Sequence, residues 1–119
     1  MFELTQKEMV AYIIYSSKKI DKFSDKTLEN YIEILQQDLI NTNIGQVLCK
    51  IDLRLFNNFE FKAKLNHSEI IVYAKLIYKR LLNYFDKKFT DEDIIKESIF
   101  IFKEYSVRTA NEEIIKLKL

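Results

Sequence analysis

The sequence predicts a single all-α domain spanning residues 1–119, and three features of the chain predict it. Proline is absent and glycine occurs once in 119 residues, so the residues that tight β-hairpins require are missing. Helix-capping residues recur along the chain with the spacing of the capping box. Apolar residues follow them at the period of amphipathic helices. We therefore expect a compact bundle of five to six helices with one extended connector around residues 57–66.

Caps and apolar stripes place the helices in order along the chain. In a capping box, a side-chain acceptor at the N-cap and an acidic or amide residue three positions later satisfy backbone N–H groups that the first turn leaves unpaired. The pattern predicts boxes at Thr5/Glu8, Asn43/Gln46, Asn66/Glu69, Thr90/Asp93 and Thr109/Glu112, and a further cap at Ser24. The predicted helices occupy about 6–19, 25–40, 44–56, 67–86, 91–106 and 110–118.

The connector differs from the helices in its period. Phe59, Phe61, Ala63 and Leu65 alternate with charged residues, as in an extended segment with one apolar face. We expect its aromatic side chains to attach this segment to the bundle. A short β-strand joined to a partner is the alternative, because a lone strand leaves its backbone hydrogen-bonding groups unpaired.

The composition indicates a folded protein without a preferred charged partner. Hydrophobic residues make up 48% of the chain and the net charge is +1, which excludes intrinsic disorder and favours neither nucleic acid nor anionic lipid. The single cysteine excludes an intramolecular disulfide and a thiolate metal cage. The chain starts without the basic and apolar regions of a signal peptide, and no apolar run approaches the roughly 18–20 residues that span a bilayer. We expect a cytoplasmic protein with no membrane association and no cofactor.

Residues with catalytic chemistry are few, and helix ends account for most of them. His67 falls in the first turn of a predicted helix, where the dipole disfavours a protonated imidazole ring. The acidic clusters at 91–93 and 112–113 also fall in predicted first turns, where the dipole stabilises negative charge. Cys49 falls near the middle of the third helix, as a small and partly buried residue. Because no catalytic motif accompanies these residues, the sequence predicts a protein that is not an enzyme.

Several apolar residues lie off the core stripes and are candidates for a protein interface. Single apolar side chains fall among polar neighbours in the first, second and fifth helices, and the third helix carries a second apolar face. A helix that is apolar on two sides is either central in the bundle or half of an interface, and both interpretations remain open for the third helix. The predicted partner-binding residues are Tyr15, Ile34, Cys49, Leu53, Phe56 and Phe100.

A cluster of basic residues offers an alternative surface. Lys75, Lys79 and Arg80 follow one another closely on the fourth helix and have aromatic neighbours, a pattern found in nucleic-acid-binding proteins. The 18 acidic residues nearly balance the 19 basic ones, and lysine-rich helix faces are often only solvated. Nucleic-acid binding is therefore the second hypothesis.

One pattern of residues is shared with a known family. The run KFSDKTL at 22–28 is followed by Tyr31 and Leu35, then by VLCKI at 47–51, by Phe59 and by SEI at 68–70. Over residues 5–75 this pattern resembles the N-terminal helical domain of phage helicase loader and inhibitor proteins. The chain differs from that family in having no proline after Phe59, no tryptophan in its second helix and a helical pattern in its C-terminal part. The resemblance implies a non-enzymatic protein that binds a replicative helicase.

These observations predict a non-catalytic helical module that binds another protein, with replication machinery as one candidate partner, or that forms a homodimer. The abundance of isoleucine, lysine and asparagine, with arginine only at 54, 80 and 108, is typical of an AT-rich bacterial genome or of a phage or plasmid within one. A nucleic-acid-binding regulatory module is the first alternative. A small immunity or anti-defence protein that neutralises a toxin or a nuclease is the second.

Overall fold

Helices dominate the computed structural model, which describes residues 2–20, 27–61, 63–85 and 88–117. Within these ranges lie six α-helices, one 3₁₀ helix and one two-stranded sheet. The α-helices are α1 (Gln6–Lys19), α2 (Leu28–Asn41), α3 (Ile44–Leu48), α4 (His67–Tyr84), α5 (Asp91–Glu104) and α6 (Val107–Lys116). The 3₁₀ helix is Leu53–Phe56, and the strands are β1 (Glu3–Thr5) and β2 (Lys64–Asn66). The predicted all-α bundle is confirmed.

Three helices begin at their predicted capping boxes. The Thr5 hydroxyl accepts a hydrogen bond from the backbone N–H of Glu8 at 3.1 Å, and the Glu8 carboxylate accepts one from the N–H of Thr5 at 2.9 Å. Each bond satisfies a donor that the first turn of α1 would leave unpaired. The same reciprocal pairing starts two other helices, at Asn66/Glu69 for α4 and at Thr90/Asp93 for α5.

The last helix begins three residues earlier than predicted. Ser106 is the N-cap of α6 and forms a capping box with Thr109, so the predicted box between Thr109 and Glu112 is wrong. The earlier start adds a helical turn that brings Ala110 into the core with no exposed surface. Glu112 and Glu113 consequently lie in the second half of α6, and the predicted explanation of their charge by a first turn is also wrong.

The second and third helices have caps that differ from the prediction. Thr27 is the N-cap of α2, so this helix begins later than expected, and the predicted cap Ser24 lies outside the described residues. Asn43 does cap α3, but its side chain accepts from the N–H of Gly45 at 2.7 Å in place of a box with Gln46. The first difference moves the start of α2 by about one turn, and the second leaves the start of α3 at Ile44, as predicted.

The predicted third helix, 44–56, is divided into two short helices. α3 ends at Leu48, and the extended backbone of Asp52 starts the 3₁₀ helix. The Asp52 carboxylate accepts from the backbone N–H of Arg54 at 3.1 Å and from the Arg54 guanidinium at 3.0 and 2.9 Å. Because side-chain hydrogen bonds of this kind compete with the helical backbone pattern, the helix breaks here.

This break removes the second apolar face expected for the third helix. Cys49 is the C-cap of α3 and is exposed, so its predicted position in the middle of a helix and partly buried is wrong. Leu53 is also exposed, whereas Phe56 is buried in the core. The three residues belong to two separate helices and have different environments.

The connector contains a strand whose partner is the start of the chain. β2 pairs antiparallel with β1, and Leu65 lies opposite Leu4. Both leucines are buried, so the sheet is fastened to the bundle by one apolar pair. The backbone N–H of Gln6 continues the contact by donating to the carbonyl of Ala63 at 3.0 Å. The ladder that was expected to need a partner is therefore completed within the chain.

The core is organised around α1. Its buried side chains include the whole run Met9, Val10, Ala11, Tyr12, Ile13 and Ile14, so the helix presents no polar stripe there. α2, α3 and α5 pack against α1, and α4 packs against α2, α5 and α6. A helix that is apolar on all sides is a central helix. The central position considered for the third helix belongs to α1.

Candidate functional site

Aromatic side chains and one arginine form an exposed cluster where α4 and α5 pack together. The guanidinium carbon of Arg80 lies 4.9 Å from the ring centre of Tyr84 and 4.8 Å from that of Phe100. Phe100 also makes an edge-to-face contact with Tyr105, with ring centres 6.3 Å apart. Tyr84 is 58% exposed and Phe100 is 43% exposed. We call Arg80, Tyr84, Phe100 and Tyr105 the aromatic surface.

The charge of Arg80 is compensated inside this cluster. Its Nε–H donates to the Glu97 carboxylate at 3.0 Å, and the exposed fractions of the two side chains are only 12% and 16%. Burial opposes the charge on Arg80, but the hydrogen bond and the negative charge of Glu97 outweigh it, so the pKa of the guanidinium is raised. The aromatic surface is therefore close to neutral, and its arginine is held in one orientation.

The spacing of residues on two helices builds the aromatic surface. Arg80 and Tyr84 are one turn apart on α4, and Glu97 and Phe100 are one turn apart on α5, so each pair lies on one helix face. Phe100 was predicted because it interrupts a charged face. Tyr84 was not among the predicted residues, because it continues the apolar stripe of the fourth helix. Its position in the last turn of α4 leaves it exposed instead.

A groove with charged walls lies between α2, α4 and α6. Its apolar floor is formed by Leu28, Ile32, Ile71 and Ile114, one wall by Glu29, Glu33 and Gln36, and the other wall by Lys75 and Lys79. The volume of the groove is about 530 Å³. The ammonium group of Lys79 donates to the carbonyl of Ile114 at 2.6 Å and so fastens the C-terminal turn of α6 to α4. We call this feature the charged groove.

The basic residues predicted to bind nucleic acid do not form one surface. Lys75 and Lys79 line the charged groove, whereas Arg80 belongs to the aromatic surface. The reason is that consecutive helical residues point about 100° apart. Lys79 and Arg80 are also engaged, with the Ile114 carbonyl and the Glu97 carboxylate respectively.

The other predicted partner-binding residues have varied environments. Tyr15 is half-buried, with the ammonium groups of Lys19 and Lys50 lying 4.6 and 5.3 Å from its ring centre. Ile34 is half-buried against the core. Phe56 is buried and has Lys7 over its ring, whereas Cys49 and Leu53 are exposed. Of the six residues, Phe100 is the one that belongs to the exposed aromatic cluster.

A buried polar cluster joins α1 to α2. The Asp38 carboxylate accepts from the ammonium group of Lys19 at 2.7 Å and from the Ser16 hydroxyl at 2.9 Å. The hydrogen bond with Asp38 raises the pKa of Lys19. Ser16 has no exposed surface, so a substrate cannot reach its hydroxyl without local unfolding. We assign this cluster to the packing of the two helices.

His67 and the acidic cluster at 91–93 lie at helix starts, as predicted. His67 is the first residue of α4 and is exposed, and Asp91–Asp93 occupies the first turn of α5. No group of three or more histidine, cysteine or acidic residues in the described ranges is arranged to hold a metal ion. In the same ranges no helix is both long enough and apolar enough to cross a membrane.

No protein-family model, curated protein or solved structure matches this chain.

Proposed function

We propose that this protein is not an enzyme and acts by binding another protein through its aromatic surface. The observation that carries the proposal is the exposure of Tyr84 and Phe100, 58% and 43%, with their ring centres 4.9 and 4.8 Å from the same guanidinium carbon. Tyrosine, phenylalanine and arginine are enriched at the centres of protein interfaces. Tyrosine and arginine are also among the residues that most often contribute the largest share of binding energy.

The electrostatics of the cluster favour a protein partner over a nucleic acid. Phosphate backbones bind surfaces with uncompensated positive charge. Glu97 compensates Arg80, and Lys79 is occupied by a backbone carbonyl of α6. The exposed part of the cluster is therefore aromatic, because the Tyr84 and Phe100 rings are exposed and the Arg80 guanidinium beneath them is largely buried. An apolar protein surface with a few hydrogen-bond acceptors matches this chemistry.

The cluster also loses little conformational freedom on binding. Arg80 is already held by Glu97 and by the two rings, so its rotamers are restricted before a partner arrives. Tyrosine and phenylalanine have only two side-chain torsions each. Because ordering flexible side chains opposes association by about 0.5–1.5 kcal/mol each, a cluster that is ordered in advance binds more tightly.

The resemblance in residues 5–75 supports a replicative helicase as the first candidate partner to be tested. The aromatic surface lies outside that stretch, between residues 80 and 105. A second copy of the chain is the other candidate, since a net charge of +1 does not oppose self-association. A toxin or a nuclease would use the same kind of surface, and identification of the partner separates these cases.

The proposal is tested by placing a photo-cross-linking amino acid at Tyr84 in cells that naturally carry the gene. The same amino acid at Asn111, which is exposed on α6, is the control. We expect a defined protein adduct from position 84 and not from position 111. An adduct with the mass of two copies would identify the partner as a second copy. The absence of any adduct specific to position 84 contradicts the proposal.

Affinity measurements with the purified partner complete the test. We expect Tyr84→Ala and Phe100→Ala each to weaken binding at least tenfold, and Asn111→Ala to change it less than twofold. Both aromatic residues are exposed, so the thermal unfolding of these variants should remain close to that of the parent protein. Unchanged affinity in both variants would falsify the assignment of the aromatic surface.

A further inference from the structure

The charged groove has walls of opposite sign on either side of an apolar floor. Glu29 and Glu33 are one helical turn apart on α2 and are both exposed. Lys75 and Lys79 are one turn apart on α4, and Lys75 is exposed. The groove therefore has an acidic side and a basic side. Between them lies the apolar floor, which favours contact with apolar groups of a ligand.

We propose that the charged groove binds an amphipathic α-helix of a partner protein, with basic residues of that helix facing Glu29 and Glu33 and acidic residues facing Lys75. This binding site lies beyond the aromatic surface and differs from it in chemistry. The apolar stripe of the bound helix contacts Leu28, Ile32, Ile71 and Ile114.

The dimensions of the groove fit about two turns of a helix. The residues that line the groove extend on α2 from Leu28 to Gln36 and on α4 from Ile71 to Lys79, so each side spans eight residue steps. At about 1.5 Å per residue, each wall is about 12 Å long, which is the length of roughly two helical turns. A helix of that length presents apolar residues at positions i, i+3 or i+4, and i+7, as in other grooves that bind helices. The open volume of about 530 Å³ receives these side chains.

The architecture of the groove favours a helix over an extended peptide. An extended peptide binds by adding a strand to a sheet edge, where the backbone supplies hydrogen bonds. The walls of this groove are helices, whose interior backbone groups are already paired. Side chains, not backbone groups, must therefore supply the contacts, and the ridges of one helix pack well into the grooves between others.

The two charged walls also determine the direction of the bound helix. A helix that is turned end to end over its apolar stripe exchanges its left and right flanks. A ligand with basic residues on one flank and acidic residues on the other therefore matches the groove in one direction only. Like charges placed opposite each other in the reverse direction disfavour it. The structure thus assigns to this site a preference for helix polarity as well as for charge.

The test uses a designed helical peptide carrying a fluorophore, with a leucine stripe, lysines along one flank and glutamates along the other. A second peptide has glutamine at every leucine position, and a third has glutamate on both flanks. Fluorescence anisotropy with the full chain should show the first peptide binding at least tenfold more tightly than the second. Equal binding of the first two peptides, or no binding of the first, would overturn the proposal.

Charge reversal in the groove supplies the specific variant. We expect Glu29→Lys with Glu33→Lys to weaken binding of the first peptide about tenfold, which corresponds to about 1.4 kcal/mol. The same double variant should bind the third peptide more tightly than the parent protein does. The control is Glu3→Lys with Glu104→Lys, which makes the same change in net charge at exposed positions outside the groove. An equal effect of the two double variants would show that only net charge matters and would contradict the proposal.

A further variant separates this site from the aromatic surface. Tyr84→Ala should leave peptide affinity unchanged, because Tyr84 does not line the charged groove. If Tyr84→Ala abolishes binding of the purified partner while the peptide still binds, the two sites are independent. If the peptide binds only when Tyr84 is present, the charged groove is not its site.

Discussion

At the scale of single residues, Asp38 joins α2 to α1 through its carboxylate group. It is 4% exposed and holds Ser16 and Lys19 through both of its carboxylate oxygens. A hydrogen bond to a charged group contributes more to the free energy of unfolding than one between neutral groups. Removing one partner of a buried hydrogen bond destabilises the fold, because the other partner has lost its contact with water and no longer has the protein bond in its place. The cluster thus fixes how the two helices lie against each other.

We expect Asp38→Ala to lower the free energy of unfolding by about 1–2 kcal/mol, because Ser16 and Lys19 each lose a hydrogen bond to the carboxylate. The loss is not larger because the Ser16 hydroxyl still has the Tyr12 carbonyl as an acceptor and the exposed Lys19 ammonium group is still hydrated. The measurement is urea-induced unfolding followed by circular dichroism. Asp38→Asn should fall between the parent protein and Asp38→Ala, since an amide oxygen still accepts from Ser16. Gln37→Ala, one position away and exposed, is the control and should change stability by less than about 0.5 kcal/mol. A similar loss in the control would rule out a specific role for Asp38.

At the scale of elements, the start of α6 can be tested directly. Ser106 caps the helix in the structure, whereas the sequence pattern predicted a cap at Thr109 with Glu112. We expect Ser106→Ala to lower the free energy of unfolding by about 1 kcal/mol, the usual contribution of an N-cap. Glu112→Ala should cost less than about 0.5 kcal/mol, since it removes only an exposed ion pair with Arg108. A larger loss from Glu112→Ala than from Ser106→Ala would place the helix start at Thr109.

The sequence predicts those features of the fold that are caused by interactions between residues close together in the chain. The starts of α1, α4 and α5 follow from hydrogen bonds between residues three positions apart, so their caps are visible in the sequence. The break at Asp52 also has a local cause, but the apolar stripe runs across it without interruption and conceals it. The pairing of Leu4 with Leu65 has no local cause, so the sequence indicated an extended connector without its partner.

The candidate surfaces follow the same rule. Phe100 could be predicted because an apolar residue among charged ones is anomalous within a single helix. Tyr84 could not, because its exposure depends on where α4 ends and on how α5 packs beside it. That Glu29 and Lys75 line the same groove is likewise a property of two helices, each of which has an ordinary charged face when considered alone.

At the scale of the whole molecule, buried tyrosines make the fold sensitive to alkaline pH. Burial raises the pKa values of Tyr12, Tyr73 and Tyr78, and the effect is largest for Tyr78, whose hydroxyl donates to the Ile13 carbonyl. A raised pKa means that the folded state holds the phenolic proton more tightly than the unfolded state does. Stability is therefore unaffected by these groups below the ordinary tyrosine pKa of about 10 and falls as the pH rises above it.

We expect the free energy of unfolding to fall above pH 10 by up to about 1.4 kcal/mol per pH unit for Tyr78. Urea unfolding at a series of pH values measures this slope. Tyr78→Phe removes one ionising group and should reduce the slope, although it also lowers stability at neutral pH by removing the hydrogen bond to Ile13. A slope in Tyr78→Phe equal to that of the parent protein would contradict the role of Tyr78.

The antiparallel pairing of β1 with β2 has a consequence for the order in which the protein assembles during synthesis. About half of the chain separates Leu4 from Leu65, and a ribosome makes the first of these strands long before the second. Closing so long a loop requires an entropy loss that only the later helices can offset. α1, which precedes the other described helices along the chain, is also the one against which α2, α3 and α5 pack. The apolar surface of α1 therefore remains exposed until most of the chain has been synthesised. We expect chaperones to bind nascent chains that end before β2.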